Sequence, residues 1–332
     1  MTGRAPIAFV TGGTGFVGSH LVEALLAHGY GEVRCLVRAD RKWLDGLDVT
    51  IVPGTLDDQS ALERGVEGAD YVYHVAGLTR ASMLAPLIEA NVVGTMHLMR
   101  AIEATNPALK KVLITSSLAV IGSAETVVAD ESTPMSPISR YGKSKARMER
   151  ILRSDGWLDR LPVVIVRPPA VYGPRDSDIL DFFKTVNRGL SPVVGSGTQF
   201  ALSLIHVRDL AQGMILAAEA PVTAGELFFI GSEEFYSWHA LRDAAAVALG
   251  RRVVTVHVPP RAVPAVGAVS ELWGWLTRSY PPLNREKAAE IMKAVKMCSV
   301  EKAMSRLGFR QRIDLESGVA ETIDWYRAEG LL

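Results

Sequence analysis

Apolar positions along the chain fall into two alternating patterns. Short runs rich in β-branched residues occur at Ile7–Val10, Val33–Val37, Thr50–Val52, Tyr71–Val75, Val112–Thr115 and Val163–Val166. Between them, at Gly15–His28, Gln59–Val66, Leu84–Ala104 and Tyr141–Leu152, apolar residues recur at three- and four-residue intervals among polar ones. Near-continuous apolar runs predict strands buried on both faces, and the spaced pattern predicts helices that cover them. The expected fold class is therefore α/β, built on a doubly wound parallel sheet. Ligands of such a sheet sit beyond the carboxyl ends of its strands. Residues just after Val10, Val37, Val52, Val75, Thr115 and Val166 are thus expected to line a site.

The first run leads through Thr11-Gly12-Gly13-Thr14-Gly15-Phe16-Val17-Gly18 into a helix that ends at His28-Gly29. Backbone N–H groups at such a helix start point outward and hold a pyrophosphate. Glycine is needed where a Cβ would block the tight turn or the phosphates. A glycine triplet alone marks only a loop. Between a strand and a helix it predicts a dinucleotide site.

After Arg167 the pattern breaks up. Pro168-Pro169, Gly173-Pro174, Pro192, Gly195 and Gly197 punctuate short segments. Leu204–Val207 and Leu227–Ile230 predict two more strands, Asp209–Glu219 a helix between them, and Leu315–Glu329 a terminal helix. The expected organisation is a dinucleotide-binding Rossmann unit over residues 1–168, joined by about 204–231. A smaller, discontinuous, mostly helical substrate unit takes 169–203 and 232–332. Val263–Leu276, with Trp273 and Trp275, predicts a strongly apolar helix that packs on the core or covers the cleft. A sharper reading has it line a lipid-like pocket or touch a membrane surface.

Composition narrows the partners more than the fold. The 332 residues carry 36 Lys+Arg and 36 Asp+Glu, so no net field draws the chain to nucleic acid. Cys35 and Cys298 have no paired spacing, which predicts no metal site and no disulfide framework and fits a reducing compartment. Met1-Thr2-Gly3-Arg4 leads straight into the first strand without a signal sequence, and a cytoplasmic location is expected.

Chemistry enters with Tyr141-Gly142-Lys143-Ser144-Lys145. Tyr141 and Lys145 project from one helix face. An ammonium beside a phenol favours the phenolate, so the Tyr141 pKa is expected to be lowered toward that of a general acid/base. Thr115-Ser116-Ser117 follows the fifth strand, where a hydroxyl can donate to a substrate oxygen or satisfy the loop backbone.

Together these stretches resemble the extended branch of the short-chain dehydrogenase/reductase superfamily over nearly the whole chain. The match rests on the opening glycine turn, His74-Val75-Ala76-Gly77, Asn91 with Gly94-Thr95, and Ser117, Tyr141 and Lys145 in order and spacing. It extends to Arg167-Pro168-Pro169-Ala170-Val171-Tyr172-Gly173-Pro174. The resemblance implies that Tyr141 moves the proton, Ser117 polarises the substrate oxygen, and Lys145 also holds the nicotinamide ribose. It implies cofactor contacts at Gly12, Thr14, Gly15, Phe16, Val17, Gly18, Arg38, Thr55, Leu56, Val75, Ala76, Gly77, Asn91, Ser116, Tyr141, Lys145, Pro168 and Val171. The Ser116 hydroxyl is given a structural part. Substrate contacts are implied at Thr79, Ser117, Ala170 and Tyr172, and a homodimer through the helices near 84–104 and 141–152.

An acid closing the second strand takes a ribose 2′-hydroxyl, and an arginine there accepts a 2′-phosphate. Cys35-Leu36-Val37-Arg38 has valine in the acid's place with arginine after it, which favours NADP over NAD. Thr55 stands where the family has an adenine-binding aspartate, leaving Leu56 to lie against the ring. Nucleotide-sugar members carry asparagine at the place of Ala170 and arginine at that of Leu202, and a pyrophosphate without cationic partners binds poorly. Arg175 and Arg188 remain as anion contacts. Leu204-Ile205-His206-Val207-Arg208-Asp209 is instead similar to 3β-hydroxysteroid dehydrogenase, dihydroflavonol reductase and hopanoid-associated relatives, with His206 structural. The expected activity is NADP(H)-dependent interconversion of a secondary alcohol and a ketone or aldehyde on a hydrophobic steroid-, lipid- or flavonoid-like molecule. The alternatives are a nucleotide-sugar epimerase or dehydratase with tightly bound NAD(P), and a non-catalytic dinucleotide-sensing or scaffold protein.

Overall fold

The computed structural model describes residues 4–194, 201–263 and 285–332. Seven strands make the central sheet: β1 (Ile7–Thr11), β2 (Glu32–Val37), β3 (Thr50–Pro53), β4 (Tyr71–His74), β5 (Lys111–Thr115), β6 (Val163–Arg167) and β7 (Glu226–Phe229). All pairs are parallel, in the order β7-β6-β5-β4-β1-β2-β3. The order reverses between β1 and β4, which opens the ligand crevice of a doubly wound sheet at their carboxyl ends.

Side chains alternate along these strands, so each feeds two cores. Phe9, Val72, Ile114, Ile165 and Phe229 face helices α2 (Gln59–Val66), α3 (Gly94–Thr105) and α4 (Arg140–Ser154). Val10, Tyr73, Leu113, Val166 and Phe228 face α1 (Phe16–His28) and α5 (Val207–Glu219). Burial on both faces explains why the strands read as unbroken apolar runs. The expected helix over 84–104 is present as Leu84–Ile88 followed by α3, but a wider π-helical turn, Glu89–Val93, joins the two.

A third core joins Tyr172, Phe183 and Leu204 to Leu241 and Ala245 of α6 (Trp238–Leu249), and to Val319, Ile323 and Tyr326 of α7 (Leu315–Ala328). The expected strand at Leu204–His206 pairs with Ala170–Tyr172 outside the main sheet. Residues 301–309 were expected in the substrate unit, yet Ala303, Leu307 and Phe309 pack on the main sheet's second core. Lys302 anchors this segment to the edge strand, donating to the Leu227 carbonyl at 2.9 Å and pairing with Glu226 at 2.5 Å. Of the expected apolar helix, Val263 is buried and 264–276 lie outside the described residues. Among the described residues no helix is long and apolar enough to cross a membrane.

Candidate active site

The glycine turn lies against the segment that follows β4. Gly12 has φ +80°, and a Cβ there would stand 2.6 Å from the Ala76 nitrogen. The Gly15 N–H donates to the Gly12 carbonyl at 3.0 Å, and a Cβ on Gly18 would strike the same carbonyl. Side chains cap α2 (Asp58), α4 (Ser139), α5 (His206), α6 (Ser237) and α7 (Asp314), whereas α3 and the helices Leu180–Asn187 and Glu301–Leu307 have no such cap. No side chain caps α1. Its first-turn N–H groups are therefore available to an anion. A turn that admits no Cβ beneath an uncapped helix start fits a dinucleotide pyrophosphate, with Thr14, Phe16 and Val17 alongside.

Behind this turn stands a clamp of neutral polar groups. His74 is 1% exposed and ends β4. Its Nδ1 shares a hydrogen bond with Thr11 Oγ1 at 2.7 Å, and its Nε2 one with Thr95 Oγ1 at 2.8 Å. Burial, with Lys145 nearby, pushes its pKa down to about 3, so the ring stays neutral. Thr95 Oγ1 donates in turn to the Asn91 carbonyl at 2.8 Å. The π-helical turn directs the Asn91 amide inward. Its Oδ1 accepts the Leu78 N–H at 2.7 Å, and its Nδ2 donates to the Leu78 carbonyl and to Ser144 Oγ, both at 2.9 Å. Asn91 thus ties the Val75-Ala76-Gly77 segment to α4. A Cβ on Gly77 would lie 2.8 Å from Asn91 Oδ1 and 3.3 Å from Lys145 Nζ, so only glycine lets the chain pass this close.

Helix α4 carries the candidate reacting groups, Tyr141 and Lys145. Ser139 Oγ accepts the Gly142 N–H at 3.1 Å, and the Glu286 carboxylate accepts the Arg140 N–H at 2.6 Å. One face then presents Tyr141, Lys145 and Glu149 at successive turns. Lys145 is 4% exposed, and its Nζ donates to the Thr115 carbonyl at 2.8 Å. Burial pushes the ammonium down to about 8, with Glu149 acting in the opposite direction. Ser117 closes the turn after β5, where its Oγ accepts the Ala119 N–H at 3.1 Å.

The lowered phenol pKa expected for Tyr141 is overturned. Enclosure pushes it up to about 12, the Ser117 side chain opposes the rise, and the carboxylates of Asp178 and Glu290 add to it. Burial of the phenol is the largest cause of the rise. Tyr141 therefore holds its proton at neutral pH.

Two residues central to the site's construction receive no role from the sequence, although Arg167 opens the Arg167–Pro174 motif. Glu149 and Arg167 are 1% and 4% exposed and pair through two bonds, Nε to Oε1 at 2.9 Å and Nη2 to Oε2 at 2.6 Å. Ser116 Oγ donates to Glu149 Oε1 at 2.5 Å. The Ser116 side chain is thus turned away from a cofactor, and only its backbone is left to serve that contact. The signal available for Glu149 was spacing, since it lies two turns beyond Tyr141 on the same helix face.

The remaining expected contacts divide. Val75 and Ala76 are partly exposed beside the glycine turn, while Gly77 and Thr79 are exposed on the segment that Asn91 holds. Thr55 and Leu56 are partly exposed beyond β3, and Leu56 lies against Gly94. Arg38 is exposed beyond β2, after a buried Val37. Pro168 accepts the Leu118 N–H at 2.9 Å, next to an exposed Ala170 and a partly exposed Val171. Tyr172 is a correction: it is 3% exposed, edge-on to His206, with its hydroxyl against Gly318, so it packs the third core and is not offered to a substrate. Arg175 is another. It bonds Ser19 at 3.0 Å and Glu23 at 2.6 Å and covers the Trp43 ring, which ties the loop after Gly173-Pro174 to α1.

Comparison with known proteins agrees with this geometry. The model of the NAD dependent epimerase/dehydratase family matches residues 8–231. A ceramide reductase of Caulobacter vibrioides is 32% identical over 98% of this chain and 96% of its own. A 3-beta-hydroxysteroid dehydrogenase of Mycolicibacterium neoaurum is 27% identical over 96% and 90%. The crystal structure of gox2253 superposes with a TM-score of 0.80 at 29% identity, covering 98% of this chain and 99% of that one. The chain belongs to the NAD dependent epimerase/dehydratase family and is an oxidoreductase of the extended short-chain dehydrogenase/reductase type.

Proposed function

We propose that the protein is an NADP(H)-dependent reductase or dehydrogenase that interconverts a ketone or aldehyde and an alcohol on a hydrophobic, lipid-like molecule. The observation that carries the reading is the placement of Tyr141, Lys145 and Ser117 around the carboxyl ends of β4 and β5, beside the β1–β4 crevice. The chemistry that a nicotinamide would supply here, when bound, is the hydride exchanged with the carbinol carbon. In the reducing direction Ser117 donates a hydrogen bond to the carbonyl oxygen, and the Tyr141 O–H bond breaks as its proton passes to that oxygen. A phenol near 12 is a proton donor at neutral pH. The buried Lys145 ammonium steadies the phenolate left behind. Gly12, Gly15 and Gly18 would hold the pyrophosphate, Leu56 would lie on the adenine side, and Lys145 would take the ribose.

NADP is favoured over NAD because Arg38 stands exposed where the second strand ends and has no ion-pair or hydrogen-bond partner among the described residues. A hydrophobic substrate is favoured because Leu202, 5% exposed, occupies the place where a pyrophosphate-binding arginine would be expected, within the third core. The relatives named for ceramide and for a 3-beta-hydroxysteroid accord with that class.

The test is an NADPH-oxidation assay with long-chain ketones, sterol ketones and UDP-sugars, repeated with NADH and with Arg38→Ala. Stoichiometric loss of NADPH absorbance with a lipid ketone is expected, along with a tenfold or greater loss of NADPH preference in the variant. Conversion of a UDP-sugar without net NADPH loss would replace this reading with an epimerase.

A further inference from the structure

The ribbon formed by Leu190–Val194 and Val254–Val258 is organised the wrong way round for a surface bathed in water. Its inner side contributes the buried Ser191 and Val193 and lies near the helix Leu180–Asn187. Arg242 of α6 reaches Thr255 at 2.6 Å and is neutralised by Asp243 at 2.6 Å. Its outer side is apolar. Val254 is the cross-strand partner of Leu190 and Val256 that of Pro192, and exposures are 46% for Leu190, 66% for Val254 and 45% for Val256. Outward positions of a ribbon covered on one side ordinarily carry polar residues.

The rim is basic without compensation. Residues 187–194 and 250–263 hold Arg188, Arg251, Arg252 and Arg261, all exposed, and no Asp or Glu. Arg251 bonds Asn187 at 3.2 Å, while the side chains of Arg188, Arg252 and Arg261 have no partner among the described residues. In a chain whose formal charges cancel, this is a local concentration of positive charge.

We propose that this face docks on an anionic lipid bilayer, with the valine–leucine side at the interface and the arginines at the headgroup phosphates. Apolar area combined with surrounding arginine is the combination that binds reversibly to such an interface. Charge decides against a second copy of the chain: a two-fold contact would set these arginines against themselves. Size points the same way, since four side chains fall well short of the roughly 800 Å² that each partner buries in a stable dimer. The inference stands on this surface alone and does not depend on the proposed reaction.

The experiment is co-sedimentation of the full chain with phosphatidylcholine vesicles and with vesicles containing phosphatidylglycerol, at low and high salt. Binding is expected on the anionic vesicles only and should weaken as salt rises. Arg188→Ala and Arg252→Ala should each weaken it on the order of fivefold. The pair Val254→Ser, Val256→Ser should weaken it too, with the thermal midpoint of every variant recorded to show that the fold is kept. Equal pelleting on neutral vesicles, no pelleting, or wild-type binding by folded variants overturns the proposal. Concentration-dependent dimerisation that the valine variants abolish also overturns it and assigns the face to a second copy.

Discussion

The two halves of α4 bury ionisable side chains on the same face and treat them differently. Toward the C-terminal end, both carboxylate oxygens of Glu149 are engaged, by Arg167 and by Ser116. Toward the N-terminal end, Lys145 donates to a neutral carbonyl, and burial, with the charges of Asp178 and Glu290, raises the Tyr141 pKa. A charge buried with its counter-charge fixes a shape. One buried without it has its proton affinity displaced and is available to a ligand, which is the pattern of a reacting group. One helix thus has a strut at one end and the candidate reacting groups at the other.

The comparison breaks most sharply at Tyr141. Tyr141→Phe removes the transferable proton and little packing volume. Turnover should fall by about 10²–10⁴, while cofactor affinity, followed by fluorescence titration, and the unfolding midpoint should hold. A folded variant that keeps wild-type turnover would strip Tyr141 of its part in the reaction. Glu149→Gln should do the reverse. It leaves the Arg167 guanidinium buried without its counter-charge, at a cost of about 3 kcal/mol. Urea unfolding reads this as a lower midpoint, and the fraction still folded should keep substantial turnover.

What could be read in advance follows the same division. Strands, helices and the glycine turn were legible because burial on both sheet faces and a Cβ-free turn leave local traces, as at Val163–Val166 and Gly12. Tyr141 and Lys145 were legible by their spacing. The Glu149–Arg167 pair was not, because it joins two elements whose contact exists only after folding. Nor was the fate of Tyr172. A tyrosine inside a recognised motif reads as a ligand contact, whereas packing against His206 and Gly318 makes it core. The sign of the Tyr141 shift failed for a related reason. Sequence spacing shows that a lysine is near, but not how deeply folding encloses the phenol, and that enclosure is the largest cause of the rise.

The pH dependence of reduction sharpens the contrast further. Lys145 carries its charge below about 8 and loses it above. The rate of reduction should therefore fall as pH rises through that value, since the neutral amine no longer steadies the phenolate. Glu149 raises the Lys145 pKa, so Glu149→Gln should move this limb to lower pH. Rate–pH profiles of the two proteins measure the displacement. An unmoved limb would show that the halves of the helix do not communicate.

The smallest effect is expected at the clamp behind the glycine turn, which belongs to neither class. His74 is deeply buried, like Glu149, but burial pushes its pKa down to about 3 and leaves it neutral, so both ring nitrogens need only neutral partners. Thr95→Val keeps the volume and removes the hydroxyl between His74 and the Asn91 carbonyl. The loss should be about 1–3 kcal/mol, the cost of leaving a buried polar group unsatisfied, with no charge to strand. Because His74 takes up no proton between pH 5 and 8, that loss should be the same across the range when unfolding is measured at several pH values. A loss that grows as pH falls would mean that His74 becomes charged in the folded protein, which would place the clamp with Lys145 among the titrating groups.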